Sequence, residues 1–433
     1  MTRTPLKYLT ILIFTAGMLR NSACLAEELL LEEIVFDKNQ IETSFHAQEF
    51  QQDQIKEISC VELPYLENKH FFGYLEARRE LVKRGIAPEV NYTTDSFFKL
   101  RGKNISQNIK SIGLVDYSLT IDTEKLGLIQ GGTLYALGQN LHAFNLATDF
   151  VGDIQGISNI DAPVSNRLGE LWYKQSLFKD KAGIKLGKQD TNCDFDALES
   201  SGNFINSSFT LMPNIPMPSY PDQALGAAVF IEPIEQFNLK AGVYDGSSEP
   251  STLGFRTAFD GQEGTFTIVE SGIKPIIKKL PGNYITGFWF DSGYVDEISE
   301  APDARTFSSN YGFYAGIEQA VYKENEDDNQ GLYIQGQYGW NPSNRNEIAR
   351  FYSIGFTYFG LINKRDQDVL GFGTAIANLS GRTQKKDEIV LESFYQIQLT
   401  PWFAIQPDMQ YIFNPGGNNK NAFILGVRTL VSF

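Results

Sequence analysis

The side chains that could perform catalytic chemistry are few and scattered along this sequence. The three histidines, His46, His70 and His142, do not cluster, which argues against a zinc site or histidine-based acid–base catalysis. Two acids such as Glu170 and Glu392 could form a glycosidase pair, because those enzymes use two carboxyl groups. Carboxylates on water-facing rows of β-strands are the commoner explanation. The sequence therefore predicts no enzyme activity, no metal site and no cofactor.

A second group of side chains has the chemistry to contact sugars. Glu170, Trp172 and Lys174 share one row of a strand, whereas Leu171 and Tyr173 share the other. Charged groups hydrogen-bond hydroxyls, and an aromatic face stacks on the C–H surface of a sugar ring. The alternative is that Trp172 faces lipid, in an aromatic belt at a membrane interface.

Other polar residues alternate with apolar neighbours in the same way, as Lys99 does with Phe98 and Leu100. We expect these polar rows to face a water-filled lumen, where basic groups opposite acidic ones would create a transverse field. The predicted pore-lining and substrate-contacting residues are Lys99, Arg101, Glu170, Trp172, Lys174, Lys185, Lys240, Glu392, Gln396, Asp408 and Gln410.

Strands of about ten residues must position these side chains. In PWFAIQPDMQYIF (residues 401–413) the row from Phe403 to Phe413 is apolar, and the opposite row carries Asp408. A soluble β-sandwich also alternates. However, its strands usually have five or six residues, whereas a tilted membrane strand needs roughly 9–11. Aromatic residues near both ends of the apolar rows indicate interfacial girdles. Residues 91–433 are therefore predicted to be all-β, a transmembrane antiparallel β-barrel of about sixteen strands.

The connections between the predicted strands alternate between short turns and longer polar loops, as in outer-membrane barrels. The longest connection covers about residues 190–221, and its LMPNIPMPSYP stretch (residues 211–221) contains four prolines. Such a stretch cannot pair as a strand. We expect the loop to fold into the lumen and narrow it; the alternative is a loop resting on the rim.

The last strand, AFILGVRTLVSF, has an apolar row that runs from Phe423 to the terminal Phe433. This strand must close the barrel against the first one, because an open edge cannot be satisfied in lipid. The terminal aromatic residue also resembles the signal that the barrel-insertion machinery reads in bacterial outer-membrane proteins.

Residues 1–26 are predicted to be a signal peptide, with a basic start, an apolar stretch of about a dozen residues and cleavage after Ala26. A transmembrane anchor is the first alternative, but the stretch is shorter than a span of roughly 20 residues. A lipoprotein cut before Cys24 is the second, although Asn21 stands where an aliphatic residue is expected. Residues 27–90 are predicted to be an N-terminal periplasmic segment with a short helix at Tyr74–Ile86.

The chain carries 52 acidic and 37 basic side chains, a formal net charge of −15. This acidity argues against nucleic acid as a partner, because phosphates would be repelled. After cleavage only Cys60 and Cys193 would remain. An exported compartment would allow one disulfide.

Five segments carry a resemblance to a known family: LGELWYKQSLF (168–178), GIKLGKQDTNCDF (183–195), VGDIQGISNIDAP (151–163), PSYPDQALG (218–226) and PWFAIQPDMQYIFNPGG (401–417). With them the chain resembles the OprB family of carbohydrate-selective porins over about residues 80–433. The resemblance implies a sixteen-stranded barrel in the outer membrane of a Gram-negative bacterium, surrounded by lipid and passing sugars by passive diffusion. Homo-oligomers are an expectation from analogy with general porins.

Two alternatives to a sugar porin remain at this point. The acidity of the chain also suits a porin that prefers cationic solutes such as basic amino acids, as some relatives do. A structural or adhesive barrel, acting through its exposed loops, is an alternative of another class.

Overall fold

The computed structural model describes residues 76–103, 109–143, 150–246, 264–299, 303–325 and 328–433. The predicted signal peptide, residues 27–69 and Cys60 lie outside this range, so their predicted roles remain predictions. Helix α1 spans Glu76–Lys83 and ends before the predicted Ile86. Gly85 follows it with a φ of +87°, a left-handed conformation that favours glycine and ends a helix. No helix within the described ranges is both long enough and apolar enough to cross a membrane.

Sixteen long strands form the barrel and are numbered here in chain order. They are β1 (Ile86–Arg101), β2 (Ile109–Asp122), β3 (Gly132–Ala143), β4 (Ser165–Leu177), β5 (Ala182–Gln189), β6 (Ala224–Ile234), β7 (Phe237–Asp245), β8 (Thr265–Ile273), β9 (Leu280–Asp291), β10 (Asn310–Lys323), β11 (Gly331–Trp340), β12 (Ile348–Phe359), β13 (Val369–Leu379), β14 (Glu388–Thr400), β15 (Phe403–Phe413) and β16 (Ala422–Ser432). Ile276–Ile277 adds a two-residue strand, and Val295–Asp296 pairs with Thr306–Phe307 in a small hairpin.

Every long strand pairs antiparallel with the next one in the chain, and β16 pairs with β1 to close the barrel. At this seam Arg428 lies opposite Asp95, and the two side chains form a bidentate ion pair with N···O distances of 2.7 Å. The amide of Phe433 donates to the carbonyl of Val90 at 2.8 Å. Within the described residues, this pairing leaves none of the sixteen long strands with an open edge, so the predicted sixteen-stranded antiparallel barrel is confirmed.

The two faces of the barrel wall differ as the alternation predicts. Large apolar side chains such as Ile354, Phe356, Leu425 and Val427 are exposed on the outer surface. Their strand neighbours point inward and are buried or half-buried. Because strand side chains have a period of two, one apolar row per strand covers the outside.

The connections differ in length at the two ends of the barrel. At the near end, which carries α1 and Phe433, they are short, as at residues 178–181, 235–236 and 401–402. At the far end the connections at 190–223 and 292–309 are much longer. The predicted alternation of turns and loops is therefore present.

Candidate functional site

The connection at residues 190–223, here called the long loop, crosses the interior of the barrel. It leaves β5, yet its backbone amides bind carboxylates on distant strands. Asp196 donates to Glu270 on β8 at 2.8 Å, and Ser200 donates to Glu318 on β10 at 2.7 Å. An irregular segment away from water must find acceptors for its amides. These contacts agree with the expectation that the loop folds into the lumen.

The middle of the long loop is anchored on the opposite wall. Glu392 on β14 accepts hydrogen bonds from the amides of Ile205 at 2.6 Å and Asn206 at 3.0 Å. On β15, Gln410 accepts from the side-chain amide of Asn206 at 3.1 Å. The loop therefore spans from β5 to β14 and β15, across the full width of the lumen.

Aromatic packing fixes the same part of the loop. Phe204 stacks on Phe209 with ring centroids 4.2 Å apart and meets Phe394 of β14 edge-on at 5.1 Å. Gly373 on β13 makes room for this cluster, because a Cβ at that position would lie 2.7 Å from the Phe209 ring. The cluster is an apolar core inside the barrel, and it holds the loop by burial of apolar surface.

A second segment, residues 150–163 before β4, also enters the lumen and is called here the second loop. Glu388 on β14 accepts from the amides of Ile154 and Gln155, each at 3.0 Å, and from Gly416 at 2.6 Å. The two inserted loops are joined directly, since the amide of Asn159 donates to the carbonyl of Ile205 at 2.8 Å. The interior is thus narrowed by two segments rather than one.

Four predicted residues come together where the long loop leaves the wall. Lys185 on β5 bonds Asp194 of the loop at 2.7 Å, and Lys240 on β7 bonds Glu270 at 2.8 Å. The Lys185 ammonium also lies 4.6 Å from the centroid of the Trp172 ring. Trp172 in turn donates from Nε1 to Glu170 at 2.9 Å. The amide of Asp190 also donates to Glu170 at 3.1 Å, and Lys240 donates to the carbonyl of Asp194 at 2.7 Å. Together these contacts attach the loop to β4, β5 and β7.

The expectation that Trp172 stacks on a passing sugar needs correction. Its row faces inward, as predicted, but only 3% of its surface is exposed. Tyr135 covers one side, with ring centroids 5.0 Å apart, and Lys185 lies over the ring. Trp172 is therefore part of the packed wall beneath the long loop, with no free face for a solute.

Arg101 does not face the lumen. The register between β1 and β16 shifts after Lys99, so that Arg101 pairs with Phe423, whose row is on the outer surface. A bulge moves the following side chain to the opposite face of a strand. The sequence prediction assumed that polar and apolar residues alternate without interruption from Lys99 to Arg101, so it could not reveal this shift. Lys99 itself is buried on the inward row, donates to the carbonyl of Phe150 and lies 4.4 Å from that ring.

The remaining predicted residues divide into two groups. Asp408 and Gln410 are buried on β15, and Gln410 donates to the carbonyl of Ile157 in the second loop at 2.9 Å. Lys174 and Gln396 are half-buried on inward rows, so they keep contact with water. Whether any of the predicted set contacts a solute remains a proposal.

Four further charged residues, which the sequence did not indicate, act electrostatically on the hydroxyl of Tyr220 on the long loop. This group, called here the mixed-charge ring, consists of Asp116 on β2, Asp161 in the second loop, Arg167 on β4 and Arg428 on β16. Burial, and next the Asp116 carboxylate, raise the pKa of Tyr220, so its hydroxyl keeps its proton. It donates to the carbonyl of Ile160 at 2.8 Å.

The ring combines both signs of charge and is partly exposed. Asp116, Asp161 and Tyr220 are half-buried, whereas only 9% of the Arg167 side chain is exposed and Arg428 is buried. Arg167 is held by the carbonyl of Pro221 and lies 3.5 Å from the Asp222 carboxylate. A signal for the loop members existed, because Asp161 and Tyr220 lie in two of the segments on which the family resemblance depends. What the sequence could not show is that four separate elements bring these charges together.

Two carboxyl groups in the inserted loops are strongly perturbed. Burial raises the pKa of Asp196 well above its usual range, although the amide of Met212 bonds its carboxylate and opposes the shift. Burial, and next the Glu388 carboxylate, raise the pKa of Asp153 to about 8. Over the described ranges, no group of three or more His, Cys, Asp or Glu side chains could hold a metal ion. Cys193 at the base of the long loop is disulfide-bonded.

Comparison with known proteins agrees with this geometry. The model of the family described as "Carbohydrate-selective porin, OprB family" matches residues 107–433. Porin B of Pseudomonas aeruginosa is 24% identical over 344 residues, covering 67% of this chain and 74% of the relative. A putative porin, QuiX, of Acinetobacter baylyi is 20% identical over 309 residues, covering 62% of this chain and 69% of the relative.

Among solved structures, the high-pH structure of Pseudomonas putida OprB superimposes with a TM-score of 0.76. It is 20% identical in sequence, and the match covers 83% of this chain and 96% of that one. The likeness supports the barrel fold, while the family match spans most of the chain. This protein belongs to the OprB family of carbohydrate-selective porins and is a protein of the bacterial outer membrane.

Proposed function

We propose that small neutral sugars diffuse passively through this barrel and pass the mixed-charge ring beside the two inserted loops. The observation that carries the proposal is the group of Asp116, Asp161, Arg167 and Tyr220, which combines charges of both signs and is partly exposed to solvent. A polyhydroxy solute both donates and accepts hydrogen bonds, so it can contact acidic and basic groups in turn. A site with both signs favours no single ionic charge. The proposed role is that of a channel, with no catalytic step.

A porin for cationic solutes is the second candidate. It is favoured by the net charge of −15 and by the two acids of the ring, Asp116 and Asp161. Acidic surroundings raise the local concentration of cations. The two candidates differ in which solute of similar size enters faster.

Proteoliposome swelling separates the candidates. With purified full-length protein, we expect a neutral pentose or hexose to enter faster than arginine. Faster entry of arginine would support the cationic alternative, and no solute entry at all would contradict a porin of either kind.

The position of the passage is tested by Tyr220→Ala. Removing the half-buried Tyr220 side chain should widen the passage beside the mixed-charge ring. The entry of a disaccharide should then become several-fold faster relative to that of a monosaccharide. Tyr352→Ala is the matched control, since Tyr352 is exposed on the outer surface of β12. Equal rates for the two variants and the wild type would place the passage away from Tyr220.

A further inference from the structure

Four exposed basic side chains lie at the far end of the barrel, where β16 and β1 meet and the loops beside them end. Arg101 is the last residue of β1, Lys103 follows two residues later, and Lys420 comes just before β16. Lys386 lies in the loop between β13 and β14, and its amide donates to the carbonyl of Gly417, in the loop before β16, at 3.0 Å. Arg101, Lys103, Lys386 and Lys420 are called here the basic rim.

The register shift in β1 is what turns Arg101 to the outside. Arg101 pairs with Phe423 across the β1–β16 seam, after an irregularity that begins at Lys99. Gly102 follows with a φ of +142°, a value that favours glycine, and a Cβ there would lie 3.3 Å from the Ala422 side chain. A bulge re-aims the side chain that follows it. Its result here is an exposed guanidinium on the outer surface.

Aromatic side chains next to Arg101 mark the depth of the membrane interface. The Tyr411 ring contacts the Phe413 and Phe423 rings on the outward rows of β15 and β16, with centroid distances of 4.7 and 6.1 Å. Such rings concentrate at the boundary between hydrocarbon and headgroups. Arg101 is level with Phe423, and Lys420 lies three residues farther toward the far end. The basic rim is therefore at the level of lipid headgroups.

The sequence around the seam contains no acidic residue near this end of the barrel. Residues 96–115 and 409–433 include no Asp or Glu, although the whole chain has a net charge of −15. Two basic residues of these stretches point inward, where Lys99 bonds the second loop and Arg428 is paired with Asp95. The outward charges at the seam are therefore all positive.

The basic rim differs in this respect from other basic residues of the same loops. Arg382 is paired with Glu297 at 2.8 Å, and Lys385 is paired with Glu347 at 2.6 Å. Within the described part of the chain, no carboxylate forms an ion pair with a side chain of the basic rim. Four positive charges are thus left facing the surroundings of the barrel.

Phosphate groups are the ligands that such a cluster fits. A guanidinium forms two parallel bonds with phosphate oxygens, and ammonium groups add point charges. The far end has the longer connections, which face the outside of the cell in outer-membrane barrels. Lipid phosphates at this depth belong to the outer leaflet, whose lipid is lipopolysaccharide.

We propose that the basic rim binds the phosphate groups of a lipopolysaccharide molecule in the outer leaflet. The apolar wall beneath the rim receives the acyl chains, since Met409, Leu425 and Phe98 are each at least 38% exposed there. Charge at headgroup level above an apolar surface matches a phosphorylated glycolipid, whereas a soluble anion has no use for the apolar part. The site lies on the outer surface, separate from the sugar passage.

Native mass spectrometry of the purified full-length protein in detergent tests the site, with diphosphorylated lipid A, the membrane anchor of lipopolysaccharide, as the probe. The rim variant combines Arg101→Gln, Lys103→Gln and Lys420→Gln, which are all exposed positions. We expect its affinity for lipid A to fall roughly five-fold for each charge removed, as for basic residues at an anionic membrane surface. Equal affinity of the rim variant and the wild type would overturn the proposal, as would a wild type that binds no lipid A.

The matched control removes three exposed lysines at the opposite end of the barrel. It combines Lys179→Gln, Lys278→Gln and Lys364→Gln, all in near-end turns, and should bind lipid A like the wild type. An equal loss of affinity in this control would show that net charge alone decides, and the proposal would be wrong. If the rim variant gives no folded, heat-modifiable band, Lys420→Gln alone, outside any strand, is compared with Lys364→Gln instead.

Three further probes distinguish lipopolysaccharide from other sources of phosphate. Dephosphorylated lipid A should bind the wild type no better than the rim variant. Excess inorganic phosphate should leave the lipid A complex intact, and phosphatidylglycerol should bind the wild type more weakly than lipid A. Undiminished binding of dephosphorylated lipid A would contradict phosphate recognition. Displacement by inorganic phosphate, or equal binding of phosphatidylglycerol, would contradict the assignment to lipopolysaccharide.

Discussion

At the scale of single residues, the charged and aromatic side chains on the inward rows mainly hold the loops. Lys185 and Lys240 each form a short ion pair, with Asp194 and Glu270 respectively. Trp172 lies beneath Lys185 and is buried. A row can be assigned to the inside from alternation alone. Whether a loop then covers that row depends on residues distant in sequence.

Replacing Trp172 by Ala should act through packing. Removal of a large buried aromatic residue typically costs about 3–5 kcal/mol, so the urea midpoint of unfolding should fall clearly. Ion conductance and sugar entry should change together, because Lys185 loses its support and the loop shifts. Selective loss of saturable sugar flux, with an unchanged urea midpoint, would instead restore a direct stacking role for Trp172.

The buried carboxyl group of Asp153 should make stability depend on pH. Its pKa in the folded protein is about 8, whereas the usual value is 3.8. Between these values the folded state holds a proton that the unfolded state has released, so stability falls as pH rises and the loss is complete above about pH 8. Asp153→Asn cannot ionise, so its urea midpoint should differ less between pH 6 and pH 9 than that of the wild type. Asp366→Asn removes an exposed carboxyl group in the turn between β12 and β13 and should retain the wild-type difference; equal behaviour of both variants would contradict this account.

At the scale of elements, the sequence predicts the strands, but it predicts the two inserted loops only in part. Alternation and run length predict the strands because both follow from local backbone geometry. The prolines at 211–221 indicate that the long loop is not a strand, and a barrel interior can receive it. The second loop was not predicted to enter, since its anchor Glu388 lies more than 200 residues away in the sequence. The bulge that turns Arg101 outward was likewise invisible, because it depends on the register with β16.

The anchoring of the long loop can be tested at Glu392, which accepts two of its backbone amides. Glu392→Ala leaves both donors without their acceptor, at a cost of roughly 1–3 kcal/mol for each buried group. We expect faster hydrogen exchange at Ile205 and Asn206, together with a larger and noisier single-channel conductance. Ser393→Ala changes the next residue, on the outward row, and should leave both readouts unchanged. Protected amides and wild-type conductance in Glu392→Ala would show that the aromatic cluster alone holds the loop.

At the scale of the whole molecule, one seam converts a sheet into a barrel. Consecutive strands pair with their neighbours through short turns or loops, whereas β1 and β16 come from opposite ends of the barrel sequence. The seam is held by backbone pairing, by the buried Asp95–Arg428 ion pair and by the bond from Phe433 to Val90. The loop-closure entropy of such a distant contact makes it a late and vulnerable step in folding.

Removal of Phe433 should therefore slow assembly more than it changes the finished pore. The truncated chain loses the 2.8 Å bond to Val90, and a hydrogen bond of about 1 kcal/mol corresponds to roughly a five-fold change in an equilibrium constant. It also loses the aromatic end of the outward row that begins at Phe423. We expect several-fold slower appearance of the folded, heat-modifiable band in pulse-chase experiments, with normal conductance for the copies that insert. Phe433→Tyr keeps the backbone bond and an aromatic ring and should assemble at the wild-type rate. Equal rates for the truncated and wild-type chains would show that the rest of the β1–β16 ladder is sufficient for closure.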